Sequence, residues 1–139
     1  MNIPPIAVAE TLIRHVHPKL WPDGQAKPNS GAFRDRELSV DREVLRSIEI
    51  CCRLRPTHGF MRLTVSDATD SGLTVVADPL PSAEAFEGLL FDDLTPPSLE
   101  HNPAHAIIRS VSRAVAIALI KKADVVFRPG ECPPPPPQP

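Results

Sequence analysis

Residues 111–120 form the most apolar helix candidate in the chain, and the rest of the domain has to pack against it. Their apolar side chains recur at the spacing of an α-helix and cover most of its circumference. A helix with this pattern is usually buried, and Ser110 or Ser112 is a suitable N-cap. The apolar positions are Val111, Ala114, Val115, Ala118 and Leu119, with Ile117 and Ile120 widening the stripe.

Short β-branched and apolar segments predict the strands that pack against this helix. The turn-forming sequence DATDSG lies between two of them and predicts a β-hairpin of strands 60–66 and 73–77. Residues 11–17 also fit a short helix that begins near Ala7, but their β-branched content and the flanking prolines favour a strand. The predicted strands are residues 11–17, 32–33, 38–40, 60–66, 73–77, 106–108 and 125–127.

A second main helix is predicted after Asp41, which is a suitable N-cap. Glu43 would lie in the first turn of this helix, where the helix dipole favours an anion. The apolar residues that follow recur at helical spacing, and Pro56 sets the end of the helix.

The order of these elements predicts an α+β fold, with a mostly antiparallel sheet and two main helices in a single domain. Residues 1–129 make up this domain, whose length suffices to bury one core. A further short helix is predicted at residues 83–90 and an irregular loop at residues 92–103. The last segment, residues 130–139, reads GECPPPPPQP and predicts a proline-rich extended tail.

Charge and aromatic content argue against two classes of partner. The formal net charge is −2, so the chain lacks a basic footprint for nucleic acid or for an anionic membrane. Five Phe, one Trp and no Tyr leave few side chains on which bases would stack. The longest apolar run is too short to span a bilayer. We therefore expect no nucleic acid and no membrane among the partners.

The three cysteines argue against a disulfide framework. Cys51 and Cys52 are adjacent, which disfavours a bridge between them, and Cys132 lies in the tail. On a helix face the adjacent pair would act as small buried hydrophobes. This pattern favours a reducing compartment. Since the N-terminal sequence MNIPPIAVAE lacks the basic region of a signal peptide, a cytoplasmic location is predicted.

Two pairs of histidines have spacings that suit metal binding. His15 and His17 would share one face of a strand, and His101 and His105 stand at i and i+4. Pro103 disfavours a helix between the second pair, which therefore belongs to a turn that leads into the next strand. The alternative is that these histidines make ordinary hydrogen bonds at a sheet edge. We predict no metal and no cofactor.

Arg14, His15, Ser39 and His105 form a different candidate site, for an anion or a nucleotide. Arginine offers a planar fork of donors to phosphate or carboxylate, and histidine ordinarily titrates near neutrality. In this hypothesis Arg14 binds the ligand, and His15, Ser39 and His105 are the catalytic residues. The alternative is that Arg14 forms a salt bridge. The pocket would form where the turn that ends at His105 meets Arg14.

Several segments resemble a family of small, uncharacterised bacterial proteins. The resemblance spans most of residues 11–128 and implies no assigned activity, and the adjacent cysteines and the proline-rich tail depart from it. The matching segments are RHVHP at 14–18, SGAF at 30–33, LSVDR at 38–42, DPL at 78–80 and NPAHAII at 102–108.

The chain also resembles ADP-ribosyltransferase-like folds, including small RES-type toxins that degrade NAD. Such folds begin with a strand whose Arg or His holds the nucleotide, followed by a loop and a strand with a hydroxyl residue. The resemblance implies these roles for Arg14 or His15 and for Ser30 or Ser39. The later Glu of these folds has no match, because the later glutamates of this chain fall in predicted helix or loop.

Two functions are therefore predicted. The first is a small accessory or binding module of a bacterial multi-protein system, which acts through contacts with a protein partner; the incomplete catalytic set and the extended tail favour it. The alternative is a small nucleotide- or NAD-processing enzyme of ADP-ribosyltransferase type, so whether the protein is an enzyme stays open. Arg14 and His105 around one pocket would favour the alternative.

Overall fold

The structure, a computed structural model, describes residues 3–79 and 102–134. Six strands form one antiparallel sheet, and three helices pack on it, so the predicted α+β fold is confirmed. The strands are β1 Thr11–Val16, β2 Asp35–Arg42, β3 Gly59–Thr64, β4 Val75–Ala77, β5 His105–Val111 and β6 Asp124–Phe127. The helices are α1 Ile48–Leu54, α2 Val65–Asp70 and α3 Arg113–Lys122. The strand order in the sheet is β4-β5-β2-β1-β3-β6.

Helix α3 is the core helix predicted for residues 111–120, but the predicted buried stripe is only partly right. Val111 belongs to β5, and Ala114, Ile117 and Ala118 are exposed. Ser112 caps the helix, because the Ser112 hydroxyl accepts a hydrogen bond from the Val115 N–H at 3.4 Å. Leu119 and Ile120 are buried in the main core, which also takes in side chains of α2 and one face of the sheet. Burial of a large aliphatic side chain contributes about 1.5–3 kcal/mol. The three residues of α3 in this core are Ala116, Leu119 and Ile120.

The opposite face of the sheet carries α1 and a smaller core. Because strand side chains alternate, Leu12 enters the main core while Ile13 enters this second cluster. Ile13 and Phe60 pack there against Cys51 and Cys52 of α1. Among the described residues, four buried side chains form this cluster, and the candidate site lies on the same face.

The second main helix begins later than predicted, and Asp41 is not its N-cap. Strand β2 continues through Asp41, which pairs with Ile13 of β1 and with His105 of β5. Hydrogen bonding on both sides of a central strand outweighs a local capping preference. Ser47 caps α1 instead, since its hydroxyl accepts the Ile50 N–H at 3.4 Å. Asp41 therefore presents its side chain from the sheet.

The predicted hairpin of residues 60–66 and 73–77 is wrong. Strand β3 pairs with β1 and β6, whereas β4 pairs with β5 at the other end of the sheet. The segment between them forms α2, which begins with a capping box. The Asp67 N–H donates to Thr64 Oγ1 at 3.0 Å, and the Thr64 N–H donates to Asp67 Oδ2 at 3.3 Å. Residues 32–33, predicted as a strand, instead end a 3₁₀ turn over Ser30–Ala32, whose C-cap is Phe33.

Cys52 and Cys132 form a disulfide, so the expectation of no disulfide is wrong. Their Cα atoms lie 5.7 Å apart although they are separated by 80 positions in the sequence. Residues 130–134, the described part of the predicted tail, are thereby joined to α1. Gly59 permits the close approach of this segment, because a Cβ there would lie 2.5 Å from Cε3 of Trp21 and 3.0 Å from Cδ of Pro129.

Some predictions fall outside the described residues. These are the short helix at 83–90, most of the loop at 92–103, His101 and the tail beyond residue 134. Within the described ranges, the structure contains no helix that is both long and apolar enough to cross a membrane.

Candidate functional site

A cavity of about 380 Å³ lies between α1 and the sheet, on the face with the smaller core. Strands β1, β2, β3 and β5 contribute side chains to its wall, and α1 and the turn before β5 close it. Ligand pockets of this size suit a small molecule. The lining residues are Arg14, His15, Ser39, Val40, Asp41, Arg46, Cys51, Leu54, Arg55, Phe60, Asn102 and His105.

Strand alternation brings the polar residues of the wall together. On β2, Leu38 and Val40 are buried in the main core, so Ser39 and Asp41 face the cavity side. The same alternation places His15 there from β1. Asp41 lies directly opposite His105 of β5 in the antiparallel register. Three neighbouring strands thus contribute polar groups to one wall of the cavity.

Arg14 reaches the cavity although its strand position points toward the other face. The paired register of β1 and β2 comprises Leu12↔Arg42 and Ile13↔Asp41. Beyond these two pairs, the Arg14 guanidinium forms the hydrogen bonds that main-chain pairing would otherwise supply. Its Nη1 donates to the Ser39 carbonyl at 3.0 Å and its Nε donates to the Ala32 carbonyl at 2.9 Å. Among the described residues Arg14 has no salt-bridge partner, so three of its five N–H donors stay available to a ligand.

Three arginine side chains line this cavity. Arg46 and Arg55, on either side of α1, join Arg14 around the cavity, and Asp41 is the carboxylate that the described residues add to the lining. Burial lowers the pKa of the Arg14 guanidinium to about 10, and burial also lowers the pKa of Arg55. Arg14 still carries its charge at neutral pH. The cavity therefore has an excess of positive charge and suits an anion.

His15 is held neutral. Burial, followed by the charges of Arg14 and Arg55, lowers the pKa of its imidazole to about 2. Its neighbour His58, with ring centroids 5.6 Å apart, has a pKa lowered to about 4 by burial and by Arg55. A neutral imidazole donates or accepts a hydrogen bond but is a weak base with such a pKa. His15 is therefore a polar contact for a ligand rather than the group that takes up a proton.

His105 has the better geometry for proton transfer. Its Nδ1 lies 2.9 Å from the Asp78 carbonyl oxygen and 3.1 Å from Asp78 Oδ2. Since a carbonyl only accepts, the Nδ1 atom carries the hydrogen, and Nε2 of the neutral ring is left as an acceptor. A carboxylate at Nδ1 fixes the ring orientation. This arrangement suits a general base.

Asp41 is oriented by Asn102. The Asn102 Nδ2 donates to Asp41 Oδ1 at 2.8 Å, while Asn102 Oδ1 accepts the Ala104 N–H at 3.0 Å. The Cys51 Sγ lies 3.8 Å from Asp41 Oδ2. Burial, then the charge of Asp41, raises the pKa of the Cys51 thiol to about 12, so this cysteine is a thiol and not a nucleophile.

The structure brings the four predicted site residues, Arg14, His15, Ser39 and His105, together around one cavity. Their catalytic and binding roles stay predictions. The alternative prediction for Arg14 is a salt bridge, and the described residues contain no partner for one. His17 is not in the cavity wall, since its Nδ1 accepts the Lys19 N–H at 3.0 Å in a 3₁₀ turn. No three His, Cys, Asp or Glu side chains of the described ranges are grouped to hold a metal ion.

Sequence reasoning misses four charged or amide residues of this lining. Asp41 is predicted as a helix cap, and Arg46 is given no role in a site. Asn102 lies in the matching segment at 102–108, for which the resemblance implies no role, and Arg55 is not predicted as a site residue. One signal was available: Arg14 and the NPAH turn were expected to meet, and polar residues next to that junction are natural members of the same site.

The fold and the site together define an α+β domain with a cationic cavity on one face of an antiparallel sheet. Comparison of the chain with protein-family models, curated proteins and solved structures finds no match.

Proposed function

We propose that this protein binds a phosphate-bearing small molecule of the nucleotide class in the cavity beneath α1. The observation that carries the proposal is the placement of Arg14, Arg46 and Arg55 around one cavity with Asp41 as the accompanying carboxylate. Arginine binds phosphate oxygens bidentately. Arg14 supports this role further because two hydrogen bonds to main-chain carbonyls fix its guanidinium before any ligand arrives.

The mixed lining supports a nucleotide over inorganic phosphate. Leu54 and Phe60 add apolar surface beside the arginines, and neutral His15 adds a polar contact. A phosphate would face the arginines while a sugar or base packs on the apolar side chains. The volume of about 380 Å³ accommodates more than a phosphate ion.

The same site supports processing of the nucleotide, of the ADP-ribosyltransferase type, as the enzymatic form of this proposal. His105, oriented by Asp78, would act as general base, with Ser39 beside it. The resemblance to ADP-ribosyltransferase-like folds implies a glutamate in the site. Among the described residues, the carboxylate that could take its place in the cavity lining is Asp41. NAD and water would be the substrates: His105 would take a proton from the water, whose oxygen would bond to the anomeric carbon as the N-glycosidic bond breaks, and nicotinamide and ADP-ribose would be the products.

A pair of arginines on one helix tests binding. Arg55, at the end of α1, lines the cavity, whereas Arg53 on α1 is exposed and does not. We expect ADP-ribose and NAD to bind the wild type in isothermal titration calorimetry, with affinity reduced 10- to 100-fold in Arg55→Gln, since a charged hydrogen bond contributes about 1.5–3 kcal/mol. Arg53→Gln should bind as the wild type does. No binding to the wild type, or equal losses in both variants, would refute the proposal.

Nicotinamide release tests the enzymatic form separately. Purified protein is incubated with NAD and free nicotinamide is followed by chromatography. Turnover that is lost in His105→Gln while NAD binding is kept would support a general base. Binding without turnover in the wild type would leave a binding protein and exclude the enzyme.

An accessory role with a protein partner, in the cytoplasm, is a further proposal from the sequence. Val8 and Val44, whose side chains are 63% and 68% exposed, are accessible apolar positions at which this role can be tested. A partner that co-purifies with the wild type but not with Val44→Asp would support this role. The Cys52–Cys132 disulfide opposes the location, because such bonds persist mainly in oxidising compartments. Alkylation of free thiols before lysis, which shows whether the bond exists in cells, tests it.

A further inference from the structure

Asp41 is an unexpected residue in a cavity built for an anion. It lies in the wall with three arginines, and a carboxylate there repels the phosphate that the arginines attract. Asp41 forms no salt bridge with a cation of the described residues, although its charge favours the protonated form of Arg55. Because the Asp41 carboxylate repels a phosphate, it is expected to interact favourably with a different part of the ligand.

We infer that Asp41 accepts hydrogen bonds from the hydroxyl groups of the ligand and thereby selects a phosphorylated sugar over a bare phosphate ester. The inference rests on the proposed function and names the substrate class of the same cavity. A carboxylate pairs well with the hydroxyls of a ribose, as it does in dinucleotide-binding folds of unrelated architecture. Hydroxyl groups donate to a carboxylate, whereas phosphate oxygens at neutral pH do not.

The surroundings of Asp41 leave it free for this contact. Its Oδ1 accepts one hydrogen bond from Asn102, and its Oδ2 has only the weak donor Cys51 Sγ at 3.8 Å. An ionised carboxylate offers about four acceptor positions. The described residues therefore leave at least two of these positions for the hydroxyls of a ligand.

Asn102 is the positioning residue for Asp41. It is 2% exposed, and its amide oxygen is taken by the Ala104 N–H, so its NH₂ group must face Asp41. The turn that holds Asn102 is tied to β2, because the Arg42 N–H donates to the Ala104 carbonyl at 2.8 Å. Asp41 is thereby oriented before a ligand binds, and a site whose polar groups are fixed for a hydroxyl rejects analogues that lack it.

Two phosphate monoesters separate hydroxyl recognition from phosphate binding. Ribose 5-phosphate carries hydroxyls, and ethyl phosphate carries the same charged group without them. By titration calorimetry we expect the wild type to bind ribose 5-phosphate at least tenfold more tightly than ethyl phosphate. In Asp41→Asn this preference should fall to about twofold or less, with ethyl phosphate bound as tightly as before or more tightly. Glu37→Gln, an exposed change on the same strand, should keep the wild-type preference.

The variant Asn102→Asp tests the positioning role. It keeps an oxygen for the Ala104 N–H and replaces the donor that faces Asp41 with a second acceptor. We expect the preference to be lost while ethyl phosphate binding persists, which a purely structural role would not produce. Equal affinities of the wild type for the two esters, or an unchanged preference in Asp41→Asn, would overturn the inference and leave the proposed function intact. Failure of both esters to bind the wild type would overturn both.

Discussion

The Arg14 guanidinium donates from Nη1 to the main-chain carbonyl of Ser39, at 3.0 Å, across the gap between β1 and β2. A side chain thus supplies a hydrogen bond that a neighbouring strand would ordinarily supply. The strands separate here without leaving the Ser39 carbonyl unpaired, and the cavity opens at this position. One residue thereby contributes both to the stability of the sheet and to the charge of the site.

Replacement of Arg14 should therefore destabilise the fold. In Arg14→Met the carbonyls of Ser39 and Ala32 lose their donors, and each buried unpaired group costs about 1–3 kcal/mol. We expect the free energy of unfolding in urea to fall by roughly 2–4 kcal/mol. Arg34→Met, at an exposed position, should change it by less than about 0.5 kcal/mol. A loss at Arg14 no larger than that at Arg34 would contradict the structural role.

Acid should destabilise the protein through its buried histidines. In the folded state the pKa of His15 is about 2 and that of His58 about 4, both below the ordinary value near 6.5. Between pH 6.5 and 4 the unfolded chain binds protons at these sites and the folded chain does not, so stability is full above pH 6.5 and falls as the pH falls. The slope is about 1.4 kcal/mol per pH unit for each full proton of difference.

Urea titrations at several pH values check this dependence. His15→Gln should show a shallower loss of stability between pH 6.5 and 4 than the wild type. The exposed residue Lys19 provides the control, and Lys19→Gln should keep the wild-type slope. Identical slopes in all three proteins would show that His15 is accessible to protons in the folded state.

The buried pair of Arg42 and Glu10 should be a major determinant of stability. Arg42 is 1% exposed and donates to both carboxylate oxygens of Glu10, and also to the Pro4 carbonyl at 2.8 Å. The hydrogen bond to Arg42 holds the pKa of Glu10 below its usual range. Removing one partner of a buried pair costs about 3–5 kcal/mol, and we expect this loss in Glu10→Gln.

An exposed ion pair serves as the control for Glu10→Gln. Arg128 and Glu131 are each about half exposed, so Glu131→Gln should change the free energy of unfolding by roughly 0.5 kcal/mol or less. Both variants are compared with the wild type by urea denaturation. A cost below about 1 kcal/mol at Glu10 would mean that the pair is not buried in solution.

Reduction of the Cys52–Cys132 disulfide should lower the melting temperature. The bond closes a loop across 80 positions, and loops of this size give roughly 2–5 kcal/mol of stabilisation. We expect Cys132→Ser to melt at the same lower temperature as the wild type in a dithiol reductant. The reductant should have no effect on Cys132→Ser itself. A wild-type melting temperature that is insensitive to reductant would contradict the bond.

The sequence by itself determined the elements whose signals are local. Strand β1 and helix α3 follow from the alternation or periodicity of consecutive side chains, and the Ser112 cap lies next to the stripe that it caps. The α+β class follows from the order of such segments. The sequence also predicts that Arg14 and the turn at His105 meet, and both residues line the cavity.

Only the tertiary structure decided which segments became partners. Asp41 suits a helix cap in isolation, but strands on both sides hydrogen-bond to β2 and keep it extended. The turn-forming residues after β3 cap α2 instead of closing a hairpin, because β3 and β4 lie in different parts of the sheet. The disulfide and the arginine cluster join residues that are distant in sequence. Such contacts depend on free energies summed over the whole sheet and core, which no local pattern contains.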